Sequence, residues 1–223
     1  MIEWSSEQAM ERVIAREGSI LVVNKPPGIP TSGRSLSDPD CIQFWLMKAF
    51  GQMVWAVHQI DADTSGVNLF VLERKLVKTL KDQMALPATR KTYCAVVDGV
   101  VEHDVQVVEA PIGKIDERSL GVTESGKFAK SLFRVVARGH RSTLMNVEIE
   151  TGRTHQIRIH ASHLGHPLLG EEWYVDPPCL RHPRQALHAL SIEGLGIPAY
   201  IPVPDDLLGL MQTEEIPFHK NTE

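Results

Sequence analysis

The feature that most constrains the fold is the number of short apolar runs, which exceeds the number of segments with helical periodicity. Short apolar runs bounded by turn residues predict β-strands, whereas apolar residues spaced three or four apart predict helices. The predicted strands are residues 19–24, 54–57, 67–72, 92–97, 105–108, 131–136, 144–149 and 186–192. The predicted helices are residues 5–16, 40–50, 74–86 and 154–164. Because strands and helices do not alternate strictly, we expect an α+β fold whose core is a mixed, mainly antiparallel β-sheet flanked by helices.

The organisation of the chain favours a single domain. Its 223 residues are 43% apolar, which is enough to bury a full core. The sequence has neither an internal repeat nor a segment with the composition of a linker. We therefore expect one domain over residues 1–223, with a core at about 20–204, a short N-terminal helix and a C-terminal tail that frays.

Charge and cysteine usage limit the class of protein. A formal net charge of −5 argues against nonspecific attraction of nucleic acid to the whole surface. Three cysteines without a Cys-x-x-Cys pair predict reduced thiols rather than a disulfide framework or a zinc ribbon. A secretory signal and an apolar run of membrane-spanning length are both absent from the sequence. These features predict a soluble cytoplasmic protein, and they leave the oligomeric state open.

A local basic stretch lies within this acidic chain. Residues 127–141 contain five cations with no Asp or Glu between them, namely Lys127, Lys130, Arg134, Arg138 and Arg141. Such a cluster can form a basic face that contacts phosphate groups. The alternative is an ordinary solvated face of a sheet.

A second concentration of hydrogen-bond donors lies at residues 151–167. It contains Arg153, Arg158, His155, His160, His163 and His166. Donors at this density are expected where an anion is bound. The histidines also suggest a metal-dependent hydrolase, but His-Glu-x-x-His and His-x-His patterns are absent. We therefore expect no metal, and we expect His155 and His160 to bond backbone or phosphate.

A carboxylate motif lies about a hundred residues upstream. Asp61 directly follows a predicted strand and precedes Thr64-Ser65-Gly66. A loop carboxylate on a rigid scaffold is well placed for catalysis, and Gly66 would allow backbone or ligand to approach closely. The alternative is an ordinary turn closed by the neighbouring hydroxyls and amides. Asp63 is a rival candidate that we interpret as a solvent-facing or turn residue.

Five ordered segments resemble motifs of the RluA-type RNA pseudouridine synthases. Residues 58–66 are similar to that family's His-Arg-Leu-Asp-x-x-Thr-Ser-Gly, and residues 91–99 to its Lys-x-Tyr-x-Ala-x-Val-x-Gly. Residues 151–170 resemble its Thr-Gly-Arg-x-His-Gln-Ile-Arg-x-His block with the following Gly-His-Pro. Residues 21–28 and 187–189 also match in order. The resemblance covers roughly residues 20–204, and it implies a stand-alone catalytic form without an N-terminal domain of the S4 type.

The resemblance implies a function and a set of site residues. Asp61 takes the position of the catalytic aspartate, which acts as either nucleophile or base at the sugar. Tyr93 takes the position of the tyrosine that stacks on the target base. Arg158 takes the position of the basic residue that pairs with the aspartate. Leu187 takes that of an aliphatic residue beneath the base. Further RNA-binding candidates are His58, Gln59, Thr64, Arg153 and the five cations of residues 127–141. The implied activity needs no cofactor or metal, and its partner is ribosomal or transfer RNA.

Each of these residues also has an interpretation that does not depend on the family. Tyr93 alone indicates a half-buried strand aromatic, and Arg158 alone indicates an exposed ion pair on a helix. One departure from the family is notable, because Gln59 stands where the family has Arg and lacks the charge and fork that suit phosphate. The alternative function is therefore a catalytically impaired RNA-binding member of the same fold. Glu171 for the family's Asp is a milder change.

Overall fold

The structure of the protein is a computed structural model that describes residues 4–117 and 119–217. In chain order its elements are α1 (Ser6–Glu11), β1 (Val13–Glu17), β2 (Ile20–Lys25), α2 (Ile42–Phe50), β3 (Trp55–Ala56), β4 (Ser65–Val71), α3 (Lys75–Met84), β5 (Arg90–Asp98), β6 (Val105–Glu109), β7 (Ile112–Lys114), β8 (Leu120–Val122), β9 (Lys130–Arg138), β10 (Ser142–Ile149), α4 (Gln156–His163), β11 (Leu187–Glu193) and α5 (Asp205–Thr213). Among the described residues, no helix has both the length and the apolar character needed to cross a membrane.

The described chain divides into two compact units. The first runs up to Lys91 and includes Ala189–Pro202, whereas the second comprises Thr92–His188 and the chain from Val203 onward. The expectation of one domain over the whole chain stays a prediction.

The first unit is built on strands in the order β1-β2-β4-β11, with β3 also paired to β4. The pairs β1/β2, β2/β4 and β3/β4 are antiparallel. All seven residues of β4 are buried, as expected of a strand inside a sheet. Helices α1 and α2 pack together beside it, and Ile42 and Leu46 of α2 join Leu21, Val23 and Phe70 in one apolar cluster.

The second unit contains four strands in the order β5-β10-β9-β6, all paired antiparallel, and a separate hairpin of β7 and β8. Its main apolar cluster includes Ala95 and Val97 of β5, Met145 and Val147 of β10, and Leu187. The predicted α+β fold with mainly antiparallel strands is therefore confirmed.

The N-terminal helix is shorter than predicted. The capping box is confirmed, because the Ser5 hydroxyl accepts from the Gln8 amide at 3.1 Å and the Gln8 side chain accepts from the Ser5 amide at 2.9 Å. The helix ends at Glu11, however, and Val13–Glu17 form β1 against β2. The prediction of a helix over residues 5–16 is thus wrong for its C-terminal half, because pairing with a neighbouring strand outweighs local helix propensity.

Two other parts of the chain also differ from the predictions. The expectation of a fraying tail after Pro204 is wrong for α5, whose Leu207, Leu210 and Met211 are buried in an apolar cluster with Cys94. The same expectation for residues 218–223 falls outside the part of the chain that the structure describes. Strands β7 and β8 were not predicted, because three-residue strands are too short to produce a periodic pattern.

Candidate active site

Hydrogen bonds within the loop and to the end of β2 hold the backbone of the loop that carries Asp61. The Asp61 carbonyl accepts from the Thr64 amide at 3.1 Å, which forms the expected turn. The next carbonyl, that of Ala62, accepts from the Gly28 amide at 3.0 Å and from Lys25 Nζ at 2.7 Å. The loop that presents the partly buried Asp61 is therefore fixed to the end of β2.

Lys25 is a buried cation that was not among the predicted site residues. It is 0% exposed, and its ammonium also donates to the carbonyls of Pro26 at 2.9 Å and Ile29 at 2.8 Å. Three carbonyl acceptors compensate part of the cost of burying the charge. Lys25 thus holds the residues 26–29 and the Asp61 loop together, and its presence in the segment at residues 21–28 was the signal available in the sequence.

Gly66 allows a close approach of two strands, as expected. Its φ is +108°, and a Cβ at this position would lie 2.1 Å from the carbonyl oxygen of Ala189. No side chain fits there, because real Cβ atoms do not come so close to a backbone oxygen. Glycine therefore lets β4 begin directly after the Asp61 loop while packed against β11.

His58 is held neutral by its surroundings. Its Nε2 accepts from the Leu69 amide at 3.1 Å, and its carbonyl accepts from Asn68 Nδ2 at 3.1 Å. Burial lowers the pKa of His58 to about 4, and the charges of Lys91 and Lys81 act in the same direction. His58 is therefore a neutral acceptor near pH 7 that ties the start of the motif to β4.

Gln59 and Thr64 are placed differently within the same motif. The exposed Gln59 donates from Nε2 to the Ser32 hydroxyl at 2.9 Å, which ties the motif to the loop after β2. The Thr64 hydroxyl is buried and has no hydrogen-bond partner within the described part of the chain. Contact of either side chain with substrate stays a prediction.

The structure brings Tyr93 and Leu187 into one cluster. Tyr93 lies on β5 opposite Val147 of β10 and is half-buried against the cluster that contains Leu187. Leu187 is 4% exposed, and its carbonyl accepts from Arg184 Nη1 at 3.1 Å. Both residues therefore belong to the second unit, whereas Asp61 belongs to the first.

Arg158 lies on α4 with a buried side chain. Its Nε and Nη2 donate to Glu171 Oε2 and Oε1, both at 2.8 Å, and the two side chains are 3% and 0% exposed. The guanidinium also lies over the rings of Trp173 and Tyr174, at 4.8 Å and 5.2 Å from their centroids. The interpretation of Arg158 as part of an exposed ion pair is thus wrong, because α4 turns this side chain inward. Pairing with Asp61 stays a prediction.

Glu171 was interpreted from the sequence only as a mild change from Asp. Burial alone would raise the pKa of its carboxyl, but hydrogen bonds from Arg158 and from the Trp173 amide lower the pKa below its ordinary value. Glu171 is therefore an ionised partner of Arg158. The Gly-His-Pro segment just before it was the sequence signal that could have pointed to it.

The donor-rich segment owes its shape to Gln156. The side-chain oxygen of Gln156, Oε1, accepts from the Thr151 hydroxyl at 2.7 Å and from the Arg153 amide at 3.0 Å, while the side-chain Nε2 donates to the Lys130 carbonyl at 2.9 Å. These bonds leave the Arg153 side chain exposed, with Nε donating to the Phe128 carbonyl at 2.9 Å. An RNA contact of Arg153 stays a prediction.

Three of the four histidines of this segment have hydrogen bonds to protein groups. His160 shares hydrogen bonds with the Ser131 hydroxyl and the Ala110 carbonyl, so its expected backbone bond is present. His155 instead bonds to the Tyr174 hydroxyl, and His166 to the Asp98 carbonyl. Among the described residues, no group of three His, Cys, Asp or Glu side chains is arranged to hold a metal ion.

The predicted basic face is largely neutralised. Acidic side chains of neighbouring strands and of the C-terminal segment pair with four of its five cations. The pairs are Lys130 with Glu109 and Glu150, Arg134 with Glu148, Arg138 with Asp104, and Arg141 with Glu214. Residues 127–141 contain no Asp or Glu, but the fold places acidic side chains of other segments beside them. These pairs favour the alternative of an ordinary solvated sheet face, and contact of Lys127 or its neighbours with RNA stays a prediction.

Comparison with known proteins gives consistent matches. The family model described as RNA pseudouridylate synthase matches residues 19–163. The chain is 37% identical to the "Uncharacterized RNA pseudouridine synthase YlyB" of Bacillus subtilis over 70% of this chain and 54% of that protein. It is 32% identical to the "Ribosomal large subunit pseudouridine synthase D" of Pseudomonas aeruginosa over 94% of this chain and 73% of that protein. The matches to YlyB and to a synthase C of Buchnera aphidicola span only about half of those relatives.

Solved structures share the fold. "Human RNA Pseudouridylate Synthase Domain Containing 4" superposes with a TM-score of 0.78 at 18% identity and covers 96% of each chain. "Human RNA Pseudouridylate Synthase Domain Containing 1" superposes with a TM-score of 0.70 at 24% identity, over 81% of this chain and 76% of that one. At these identities the likeness concerns the fold alone.

Proposed function

The chain belongs to the RNA pseudouridylate synthase family, and we propose that it isomerises specific uridines to pseudouridine in structured RNA. In this reaction the bond between the sugar and N1 of uracil breaks and a bond between the sugar and C5 forms. The C5 proton is lost and N1 gains one, so no electrons are exchanged with a cofactor. The observation that carries the proposal is the Asp61 loop, which follows the family's motif and is fixed by the buried Lys25.

Asp61 supplies the carboxylate of this proposal. An ionised carboxylate can act as nucleophile or as base at the sugar, and either role needs it held in one position. The turn from Asp61 to Thr64 and the Lys25 hydrogen bond to the Ala62 carbonyl support that rigidity. Tyr93 provides the ring that stacks on the everted uracil, and Leu187 packs beneath that base. Arg158 is a further residue that the family resemblance assigns to the site.

Ribosomal RNA is the substrate we propose first. The curated relatives from Pseudomonas aeruginosa and Nitrosomonas europaea are named ribosomal large subunit pseudouridine synthases. Recognition of structured RNA relies on shape and unpaired nucleotides rather than on one short motif, so the target uridine must be found by experiment. We place the protein in the cytoplasm, where its three buried free thiols stay reduced.

The test is a modification map with matched variants of the Asp61 loop. Ribosomal and transfer RNA from a strain lacking the gene are incubated with the wild-type protein, with Asp61→Asn or with Asp63→Asn, and pseudouridine is mapped. We expect new pseudouridine with the wild type and with Asp63→Asn, and a rate at least about 10²-fold lower with Asp61→Asn.

Each outcome of this map has a clear meaning. Equal product from Asp61→Asn and the wild type would end the assignment of Asp61. Absence of new pseudouridine in every RNA would contradict the proposed activity. Circular dichroism of the three proteins verifies that the substitutions leave the fold intact.

A further inference from the structure

Trp173 is an exposed aromatic residue that the proposed reaction does not use. Its exposed fraction, 67%, is the largest among the large apolar side chains in the described ranges 4–117 and 119–217. Exposure of this much indole surface to water is unfavourable, because apolar area gains free energy on leaving water. A tryptophan that is exposed yet held in place is typical of binding surfaces, where one face of the ring receives a ligand.

The Trp173 ring is anchored to the buried Arg158–Glu171 pair. Its backbone amide donates to Glu171 Oε1 at 3.0 Å, and the Arg158 guanidinium lies 4.8 Å from the ring centroid. A cation at this distance is attracted to the indole face. The ring is therefore oriented before any ligand arrives, which reduces the entropy lost on binding.

His155 and Tyr174 complete the support around the ring. The His155 ring lies 5.5 Å from Trp173 at an interplanar angle of 52° and shares a 2.5 Å hydrogen bond with the Tyr174 hydroxyl. Tyr174 packs against the cluster of Ile112, Ala129 and Ile159 under the β7–β8 hairpin.

The backbone of His155 shows that this arrangement is costly. His155 has a φ of +53°, in the left-handed region that disfavours residues with a Cβ. Such a conformation persists where surrounding contacts require it. Here those contacts are the ones that place the imidazole between Trp173 and Tyr174.

We propose that the exposed side of Trp173 stacks on an unpaired RNA base other than the uridine that is isomerised. The identity of the RNA rests on the proposed function. Every base has a π-face, and an aromatic ring held in place is a sequence-tolerant stacking surface. The base must be unpaired, because a paired base in a duplex has both faces covered by its neighbours.

The surroundings favour a base over a protein partner. Trp173 is an exposed ring supported by a guanidinium and an imidazole, both of them polar groups. The exposed Arg153, two residues before His155, carries a positive charge suited to the phosphate of the same strand. Tyr93, the residue assigned to the isomerised uridine, lies instead on β5 and is half-buried.

The test compares substitutions of Trp173 in RNA binding. Affinity for a 12-nucleotide single-stranded RNA, for the matched duplex and for unmodified ribosomal RNA is measured with Trp173→Ala, Trp173→Phe and Trp173→Leu. We expect Trp173→Ala and Trp173→Leu to weaken single-strand and ribosomal RNA binding about 5- to 100-fold, while Trp173→Phe retains most of it. Duplex binding should stay unchanged. Tyr200→Ala, which removes another aromatic exposed to 59%, is the matched control and should bind as the wild type.

The outcomes distinguish stacking on a base from apolar contact and from protein binding. Wild-type affinity of Trp173→Ala, or equal affinity of Trp173→Leu and the wild type, would overturn the proposal. So would a change of self-association or protein binding without a change in RNA affinity. Single abasic substitutions along the oligonucleotide provide a second check, since one of them should remove the difference between the wild type and Trp173→Ala.

Failure of this proposal is distinguishable from failure of the proposed function. Binding is measured without turnover, so a protein that forms no pseudouridine but loses RNA affinity in Trp173→Ala still supports stacking. If pseudouridine forms, we expect Trp173→Ala to raise KM more than it lowers kcat. Unchanged KM and kcat on ribosomal RNA would contradict stacking while leaving the reaction established.

Discussion

Arg158 and Glu171 form a bidentate ion pair in the interior of the second unit, with both N–O distances at 2.8 Å. Because the two side chains are only 3% and 0% exposed, neither charge has water as an alternative partner. The pair fixes the plane of the guanidinium, and Trp173 and Tyr174 pack against it. Any role of Arg158 toward a substrate or a carboxylate therefore depends on the orientation that Glu171 imposes.

Removing one partner of this pair should be strongly destabilising. We expect Arg158→Met to lower the free energy of unfolding by about 3–5 kcal/mol, because it leaves the buried Glu171 carboxylate without a counter-charge. Urea denaturation followed by circular dichroism measures the change. The double variant Arg158→Met/Glu171→Leu should recover much of the loss. A double variant less stable than the single one would contradict the role given to the pair.

Lys25 should stabilise the protein through the carbonyls it binds. In Lys25→Met the carbonyls of Pro26 and Ile29 lose this donor, and we expect about 2 kcal/mol lower unfolding free energy together with reduced kcat. The control is Lys78→Met, an exposed cation paired with Asp82, which should change stability by less than about 0.5 kcal/mol. Equal losses of unfolding free energy in Lys25→Met and Lys78→Met would show that the buried hydrogen bonds of Lys25 do not stabilise the protein.

His58 should make stability depend on pH. Its pKa is about 4 in the folded protein against an ordinary value of 6.5, so the unfolded chain binds more protons between these values. Stability is then fully present above pH 6.5 and is lost as the pH falls toward 4, by about 2 kcal/mol between pH 8 and pH 5. In His58→Gln, whose amide oxygen can still accept from Leu69, this part of the pH dependence should vanish. Identical pH profiles would refute the assignment to His58.

The buried Thr64 hydroxyl should contribute little to stability. Since it lacks a partner among the described groups, Thr64→Val should leave the unfolding free energy unchanged or raise it by about 1 kcal/mol. Thr89→Val is the matched control, because the buried Thr89 hydroxyl donates to the Gln83 carbonyl at 2.8 Å and its loss should be destabilising. If Thr64 contacts the substrate, as predicted, Thr64→Val also raises KM about tenfold. An unchanged KM would remove Thr64 from the binding site.

Gln59→Arg should strengthen binding to ribosomal RNA and steepen its salt dependence. A cation in the family's position adds about one phosphate contact, so the slope of log affinity against log salt should become more negative by about 1. Gln59→Met, which has similar length and no charge, serves as the control and should leave the slope unchanged. The same slope in all three proteins would show that position 59 does not face the RNA backbone.

Local signals in the sequence predicted local structure well. The Ser5–Gln8 capping box, the strands that became β2, β4 and β10, and the close approach at Gly66 follow from short-range rules of propensity and sterics. The predictions that were wrong depended on partners outside the segment itself. Residues of β1 form a strand because β2 lies beside them, and α5 forms because its apolar side packs on Cys94 and its neighbours.

The sequence by itself determined the fold class and, through its ordered motifs, the family and the identity of the candidate catalytic Asp61. Only the tertiary structure decided which charges are buried and what they contact. Lys25 donates to two carbonyls of the turn that follows it and to one 37 positions away, Arg158 binds a carboxylate thirteen positions away, and the cations of residues 127–141 meet acids of other segments. The physical reason is that burial and electrostatic pairing depend on distances in space, which a linear pattern of residues does not contain.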